Sequence, residues 1–244
     1  MSGHSHAKTV MATKMANAEK RGKIFSKYGR LITIAVKEGG GGDPAKNSKL
    51  KAAIEKAKEV NMPKENIERA IKRGTGELAG EALESVSYEG FGPGGFALII
   101  NGVTDNANRT LSEIKTILNK NGGKLAGEGA VRWMFEQRGI ITIPLNEGGS
   151  KTREEIEAIA IESGADDIRQ GENNLVNIYT KPEDFEVVKE NLRAKGLKID
   201  SAAIGLVPKE EIRLSDKDRI QAEKLFEALE ENDAVNEIYS NIKN

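Results

Sequence analysis

The chain has 244 residues, with 37 Lys+Arg against 38 Asp+Glu, two His and no Cys. At ~100–200 residues per domain that length fits one large domain or two to three small ones, and a hydrophobic share of 38% favours several lean cores. The empty cysteine column excludes disulfides, a thiol nucleophile, an iron–sulfur cluster and Cys-ligated zinc. Both histidines lie within the first six residues, which excludes a His-based triad or a three-His metal site.

No stretch approaches ~18 consecutive apolar residues, and the first twenty residues lack an apolar h-region. The expectation is a cytoplasmic protein without membrane span, secretory leader, cofactor or metal. The net charge of −1 conceals an asymmetry. Residues 1–76 hold 17 Lys+Arg and 7 Asp+Glu, a net of +10, and residues 77–244 hold 20 and 31, a net of −11. A basic third on an acidic remainder points to a polyanion partner.

In chain order, the first third reads as three short helices. Ile24, Tyr28, Leu31, Ile32 and Ala35 form a helical stripe, with Lys23, Lys27, Arg30 and Lys37 assigned to the opposite face. Gly39 to Gly42 end that helix, a second runs near Ser48 to Val60, and a third starts at Pro63 and stops at Gly74. Gly74-Thr75-Gly76 is a hinge. Ser85 to Tyr88 and Phe96 to Val103 then read as strands, Asn108 to Asn119 as a helix, and Ala130 to Phe135 as a further strand holding the only Trp.

From Arg138 a second unit begins, with a strand over Gly139 to Leu145 and a helix over Thr152 to Ser163. A hairpin joins Asp167-Ile168-Arg169 to Leu175–Thr180. A helix from Pro182 and an extended Lys198 to Pro208 complete β-α-β-β-α-β, the ferredoxin-like order. A helix over Asp216 to Glu231 and a strand over Val235 to Ile242 remain, and they are what the middle unit needs to close its layer. The expected fold is α+β in three domains: a basic three-helix bundle (residues 1–76), a middle α/β domain (77–138 plus 210–244), and a ferredoxin-like α/β domain (139–209) inserted in the middle one.

Most motifs with apparent chemistry read as architecture. Gly90-Phe91-Gly92-Pro93-Gly94-Gly95 matches G-x-G-x-x-G, but a strand follows where a dinucleotide fold needs a helix, so a hairpin turn is expected. His4-Ser5-His6 lacks a third metal ligand. The polar run Asp105 to Thr110 suits a helix cap better than a hydrolytic site. Carboxylates at Glu154, Glu155, Glu157, Asp166 and Asp167 have no His or metal-loop spacing beside them, so no catalytic residue is assigned and a non-enzyme is expected.

The basic surface is the strongest signal. The candidate nucleic-acid-binding residues are Lys14, Lys20, Arg21, Lys23, Lys27, Arg30, Lys37, Lys64, Arg69, Lys72 and Arg73. Lys49, Lys51, Lys56 and Lys58 lie on the same basic segment. Such residues give salt-sensitive, sequence-independent affinity for phosphates. With aromatics at 5%, base stacking is limited and backbone and shape recognition is expected.

Several motifs resemble the YebC/PmpR family. They are Gly3-His4-Ser5, Lys20-Arg21-Gly22-Lys23-Ile24-Phe25-Ser26-Lys27, Asn61 to Ile71, Tyr88 to Gly95, Thr104-Asp105-Asn106 with Asn108-Arg109-Thr110, and Asn121-Gly122-Gly123. The resemblance spans essentially the full length. It implies a helical bundle plus two α/β domains, and a DNA-binding transcriptional regulator of the bacterial cytoplasm. The alternative it carries is a ribosome-associated translation factor on ribosomal RNA, like the related mitochondrial translational activator of cytochrome c oxidase subunit one. In the DNA-binding reading, the acidic α/β body recruits or orients protein partners. One departure is local: His6-Ala7 and Met11-Ala12-Thr13 stand where the family has a Lys-Trp pair and a basic cluster. The expected contacts therefore start at Lys14 and are best supported from Lys20 to Arg30.

Overall fold

The computed structural model describes residues 18–80, 82–145, 151–171 and 174–243, with side chains from residue 21 onward. The chain forms two compact units. One runs up to Arg132 and resumes over Leu214–Ser240; the other takes Trp133–Arg213 and the last residues from Asn241.

The first unit opens with three helices, α1 (Ala18–Glu38), α2 (Ser48–Glu59) and α3 (Lys64–Thr75). Gly40, at φ 89°, ends α1, and the Gly41 N–H donates to the Val36 carbonyl at 3.0 Å in a Schellman closure. Asn47 then ties two helices together. Its amide nitrogen donates to the Ala35 carbonyl at 2.9 Å and the Gly41 carbonyl at 2.8 Å, while its oxygen caps α2 by accepting from Leu50 N at 2.9 Å. α1 and α3 lie side by side, with Thr33 Oγ1 donating to the Ala70 carbonyl at 3.1 Å. A Cβ on Gly74 would stand 2.5 Å from Val36 Cβ, so only glycine allows this approach. Ile24, Ile32, Val36, Leu50, Ala53, Ala57, Met62, Ile67 and Ala70 bury a common core.

The same unit contains a four-stranded sheet built from β1 (Glu84–Phe91), β2 (Ala97–Thr104), β3 (Lys124–Leu125) and β8 (Val235–Ser240), in the order β3-β1-β2-β8. All its pairings are antiparallel. α4 (Ala107–Lys120) and α7 (Asp216–Glu231) pack together against the sheet, burying Ile114, Leu118, Leu225, Phe226 and Leu229. Phe226 meets Phe96 with ring centroids 5.7 Å apart. α1 also packs on β2 and β8, which explains why nearly every residue of β2 is buried. Strand alternation puts Ser85, Ser87, Glu89, Asn101, Glu237 and Tyr239 on one face. Ser85 Oγ bonds Glu38 of α1 at 2.6 Å, so that face looks towards the bundle.

The glycine-rich string is the β1–β2 hairpin connection. Gly94 and Gly95 take φ 75° and 81°, and Phe91 pairs with Ala97 across the turn. The expected strand over Ala130 to Phe135 is corrected. Residues 126–131 form a loop that ends in a 3₁₀ turn over Arg132–Met134. The buried Glu89 carboxylate organises that loop: Oε1 accepts from Gly129 N at 2.7 Å, and Oε2 from Val131 N at 2.6 Å and Arg132 N at 2.9 Å. Backbone N–H groups spent on a carboxylate cannot join a ladder, so no strand forms over residues 129–132.

The second unit runs β4 (Phe135–Pro144), α5 (Arg153–Glu162), β5 (Asp167–Gln170), β6 (Leu175–Thr180), α6 (Phe185–Ala194) and β7 (Ser201–Pro208). Its sheet order is β5-β6-β4-β7, antiparallel throughout, which is the ferredoxin-like arrangement. A capping box at Thr152 and Glu155 starts α5. Ile141, Ile143, Ile156, Ala160, Val176, Ile178, Val188 and Leu192 share the core under the two helices. β4 begins at Phe135, four residues before the expected strand, and the final strand β8 pairs with β2 in the other unit's sheet.

Candidate nucleic-acid interface

Residues 21–76 contain fourteen Lys and Arg, of which eleven are exposed; the three that are not are Lys27, Arg30 and Lys56. The six carboxylates of the same segment are all exposed, so the bundle presents a surface excess of five positive charges. The formal sum over these residues is +8, so packing withdraws three of their fourteen cations from the surface a polyanion could meet.

Two corrections fall on α1. Ile32 to Val36 are five consecutive buried residues, so the C-terminal part of this helix is covered on all sides, by α2, α3 and the sheet. The stripe Lys23, Lys27, Arg30, Lys37 is therefore not one solvent face. Lys27 is only 8% exposed, and its Nζ donates to the Glu230 carbonyl in the last turn of α7. An ammonium there satisfies a carbonyl the helix cannot pair and sits at the negative end of its dipole. Lys27 is removed from the set of phosphate-binding cations. Arg30 is half-buried, with Nε enclosed.

Lys56 turns inward as well and pairs with Glu237 of β8. Both are half-buried, and Tyr239 Oη donates to the second Glu237 oxygen at 2.8 Å. The Glu237 charge raises the Lys56 pKa against the burial that lowers it. Burial pushes the Glu237 carboxyl up, but Lys56, Tyr239 and Asn101 together hold it below the ordinary value. This pair fastens the bundle to the sheet. Position 27 lies three residues after buried Ile24, a spacing that could have flagged it; nothing local flags Glu237, 181 residues from its partner.

The remaining candidates divide into two groups. Arg21 and Lys23 are exposed in the first turns of α1. Lys14 lies outside the described residues, as do His4 and His6; Lys20 is in the first turn of α1, its side chain outside them. The second group follows from the α1–α3 packing. Because Val36 meets Gly74, the last turns of both helices are neighbours, and exposed Lys37, Lys72 and Arg73 leave from the same end of the bundle. Lys49 stands there too, bonded to Glu38 at 3.1 Å. On α3, Ile67 and Ala70 face inward while Lys64, Arg69, Lys72 and Arg73 face solvent, with Lys64 3.5 Å from Glu68.

The loop Asp105 to Thr110 does cap a helix. Asn106 Oδ1 accepts from Arg109 N at 3.0 Å, and Asp105 pairs with Arg109 at 2.5 Å. The Asp105 carboxyl lies below its ordinary value, chiefly through its own backbone N–H and then through Arg109, which suits a charged cap and not a general acid. Among the described residues, no three His, Asp or Glu are grouped to hold a metal ion, and no helix is long and apolar enough to cross a membrane.

Comparison with known proteins bears on both parts of the chain. Residues 5–77 match the family described as TACO1/YebC protein N-terminal domain, and residues 83–242 match TACO1/YebC second and third domain. A "Probable transcriptional regulatory protein" of Halothermothrix orenii is 48% identical over 242 residues, covering 99% of this chain and 94% of the relative. A protein of the same name from Moorella thermoacetica is 46% identical over 242 residues, covering 99% and 95%. The crystal structure of a conserved hypothetical protein, Aq1575, from Aquifex aeolicus is similar with a TM-score of 0.80 and 44% identity. That likeness covers 93% of this chain and 91% of the other.

Proposed function

Because this chain belongs to the TACO1/YebC family, we propose that it is a non-enzymatic, cytoplasmic regulator of gene expression that binds nucleic acid, specifically DNA, through its helical bundle. The relatives' names support a transcriptional regulator. The observation that carries the reading is the surplus of five exposed cations on the bundle, with Lys37, Lys72 and Arg73 at one end and Arg21 and Lys23 on α1. Lys64 and Arg69 extend the same set along α3. The proposed layout keeps three modules: the bundle over residues 1–76, the middle domain over 77–138 and 210–244, and the insertion over 139–209. The acidic α/β modules, kept off the polyanion by their own charge, are the surface for protein partners.

Phosphate neutralisation makes a quantitative test available. Each cation in contact lowers the slope of log K against log salt by about 0.9 on duplex DNA. Reversing Lys37, Lys72 and Arg73 to Glu should flatten that slope by about 3 and weaken binding at low salt more than a hundredfold. Lys27→Met should leave the slope unchanged, because its ammonium is held by Glu230. A triple reversal with unaltered affinity and slope would remove the bundle from the interface. Crosslinking in cells with sequencing of the bound nucleic acid then identifies the target: promoter DNA supports the reading, and recovery of ribosomal RNA alone overturns its transcriptional part.

A further inference from the structure

Between α2 and α3 the chain turns within residues 60–63, and its own sequence sets the turn. α2 ends in a Schellman closure: Met62 N donates to the Ala57 carbonyl at 3.0 Å and Asn61 N to the Lys58 carbonyl at 2.9 Å. Asn61 takes φ 55°, a left-handed conformation that asparagine tolerates better than most side chains. Ala57, Val60 and Met62 are buried around the turn, and Pro63, extended at ψ 142°, starts the next helix in a new direction. An antiparallel hairpin would pack α2 and α3 along their length. Here each packs on α1 instead, and the two diverge from the turn. Two diverging helices joined by so short a turn, with one left-handed residue in it, are a helix-turn-helix arrangement.

The second of these helices presents one free side. Ile67 and Ala70 hold α3 to the core, and Gly74 lies against Val36. Helical spacing puts Glu65, Arg69 and Lys72 on the opposite side, one above another, with Glu68 beside them, and all four are exposed. Among the described residues Arg69 makes no ion pair, so its guanidinium is available to a partner. The twelve residues of α3 span about 18 Å on a cylinder about 10–12 Å across, which fits the ~12 Å major groove of duplex DNA.

We propose that α2 and α3 are a helix-turn-helix unit and that α3 is its recognition helix, lying in the major groove with its first two turns against the base edges. The inference rests on the reading of the bundle as a DNA-binding module. It adds sequence readout to that module, where composition alone pointed to backbone and shape. In such units the N-terminal residues of the second helix meet bases while the first helix crosses the backbone. Arg69 presents the two-pronged donor that matches guanine O6 and N7, and Glu65 an acceptor for the cytosine N4 amino group. Lys72 and Arg73, further along α3, and Lys37 beside them meet phosphates, which fixes the position of the helix without reading sequence. The glutamates decide between a recognition helix and a plain phosphate clamp. On a surface that only neutralises phosphates, Glu65 and Glu68 repel the backbone and serve nothing. In a groove, a carboxylate favours cytosine and rejects other bases, so it lowers affinity for random DNA and raises discrimination.

Selection of random-sequence duplex DNA by the full chain, followed by binding measurements on the selected site and on a scrambled duplex, tests this. The wild type should enrich a site containing G·C pairs and prefer it to the scrambled duplex by about a hundredfold or more. Arg69→Ala should cut that preference by about tenfold or more. Glu65→Ala should bind the scrambled duplex more tightly than the wild type while losing selection at one base pair, a combination that a damaged fold does not produce. Lys37→Ala should weaken both duplexes alike and leave the preference unchanged. Duplex binding without an enriched sequence, or a preference untouched by Arg69→Ala and Glu65→Ala, overturns the recognition helix and leaves the bundle a non-specific DNA-binding module. Failure to bind any duplex overturns the DNA-binding reading itself, and the recognition helix with it.

Discussion

Glu89→Gln isolates what one buried carboxylate contributes to this fold. In the wild type, two carboxylate oxygens accept three backbone N–H groups at 2.6–2.9 Å, and Glu89 is 8% exposed. Glutamine keeps the shape but has one acceptor oxygen. If it serves Val131 and Arg132, the new NH₂ group confronts the Gly129 N–H, donor against donor. One charge-assisted bond is lost, about 1.5–3 kcal/mol, and two others fall to neutral strength. Gly129 and Arg132 border solvent, so water recovers part of this, and about 2–3 kcal/mol of destabilisation is expected. Urea unfolding followed by far-UV circular dichroism should show a midpoint lower by about 1 M at an ordinary slope.

Acid supplies an independent check. Burial raises the Glu89 carboxyl, but the N–H groups of Val131, Gly129 and Arg132 outweigh it and hold the pKa below the ordinary carboxylate value. A depressed folded pKa gives stability that is complete above the unfolded value of about 4.3 and is lost as pH falls through the folded one. The gap between wild type and Glu89→Gln should therefore be constant near neutrality and narrow below about pH 4. A glutamine variant within about 0.5 kcal/mol of wild type at pH 7, or a gap that ignores pH, would refute the assignment of Glu89 as the loop's organiser.

Two further perturbations follow from the bundle's attachment. Glu237→Gln should cost about 1–3 kcal/mol, because it leaves the half-buried Lys56 ammonium without its counter-ion; a double-mutant cycle with Lys56→Met should show coupling of at least about 0.5 kcal/mol. The Lys56 share is present below the unfolded lysine pKa and lost as pH rises through its raised folded value, and the Glu237 share disappears in acid. Gly74→Ala should destabilise by about 1–3 kcal/mol by forcing α1 and α3 apart, measurable as a lower thermal midpoint and faster amide exchange in both helices.

Much of the secondary structure was legible because local chemistry alone decides it. Glycine at φ 89° after α1, the threonine–glutamate box before α5 and the glycines of the β1–β2 turn act over a few residues. Alternation and helical spacing placed the three bundle helices and the ferredoxin-like strand order for the same reason. The strand expected around Trp133 failed because its N–H groups answer to Glu89, some forty residues earlier, a competition no local pattern records.

The candidate interface divides along the same line. That residues 1–76 are basic is a property of the sequence, and so is their net of +10. Which cations meet solvent is a property of packing. Lys23 and Lys27 look alike in the chain, yet one is exposed and the other is inside, held by a carbonyl 203 residues away. A lysine's charge is set by its own chemistry, but its availability depends on what long-range contacts place around it. The amino-acid sequence alone therefore determined that this protein carries a basic module on an acidic body. Only the tertiary structure decided that residues 21–76 expose five positive charges of a formal eight, because Lys27 and Lys56 turn inward onto partners that come from elsewhere in the chain.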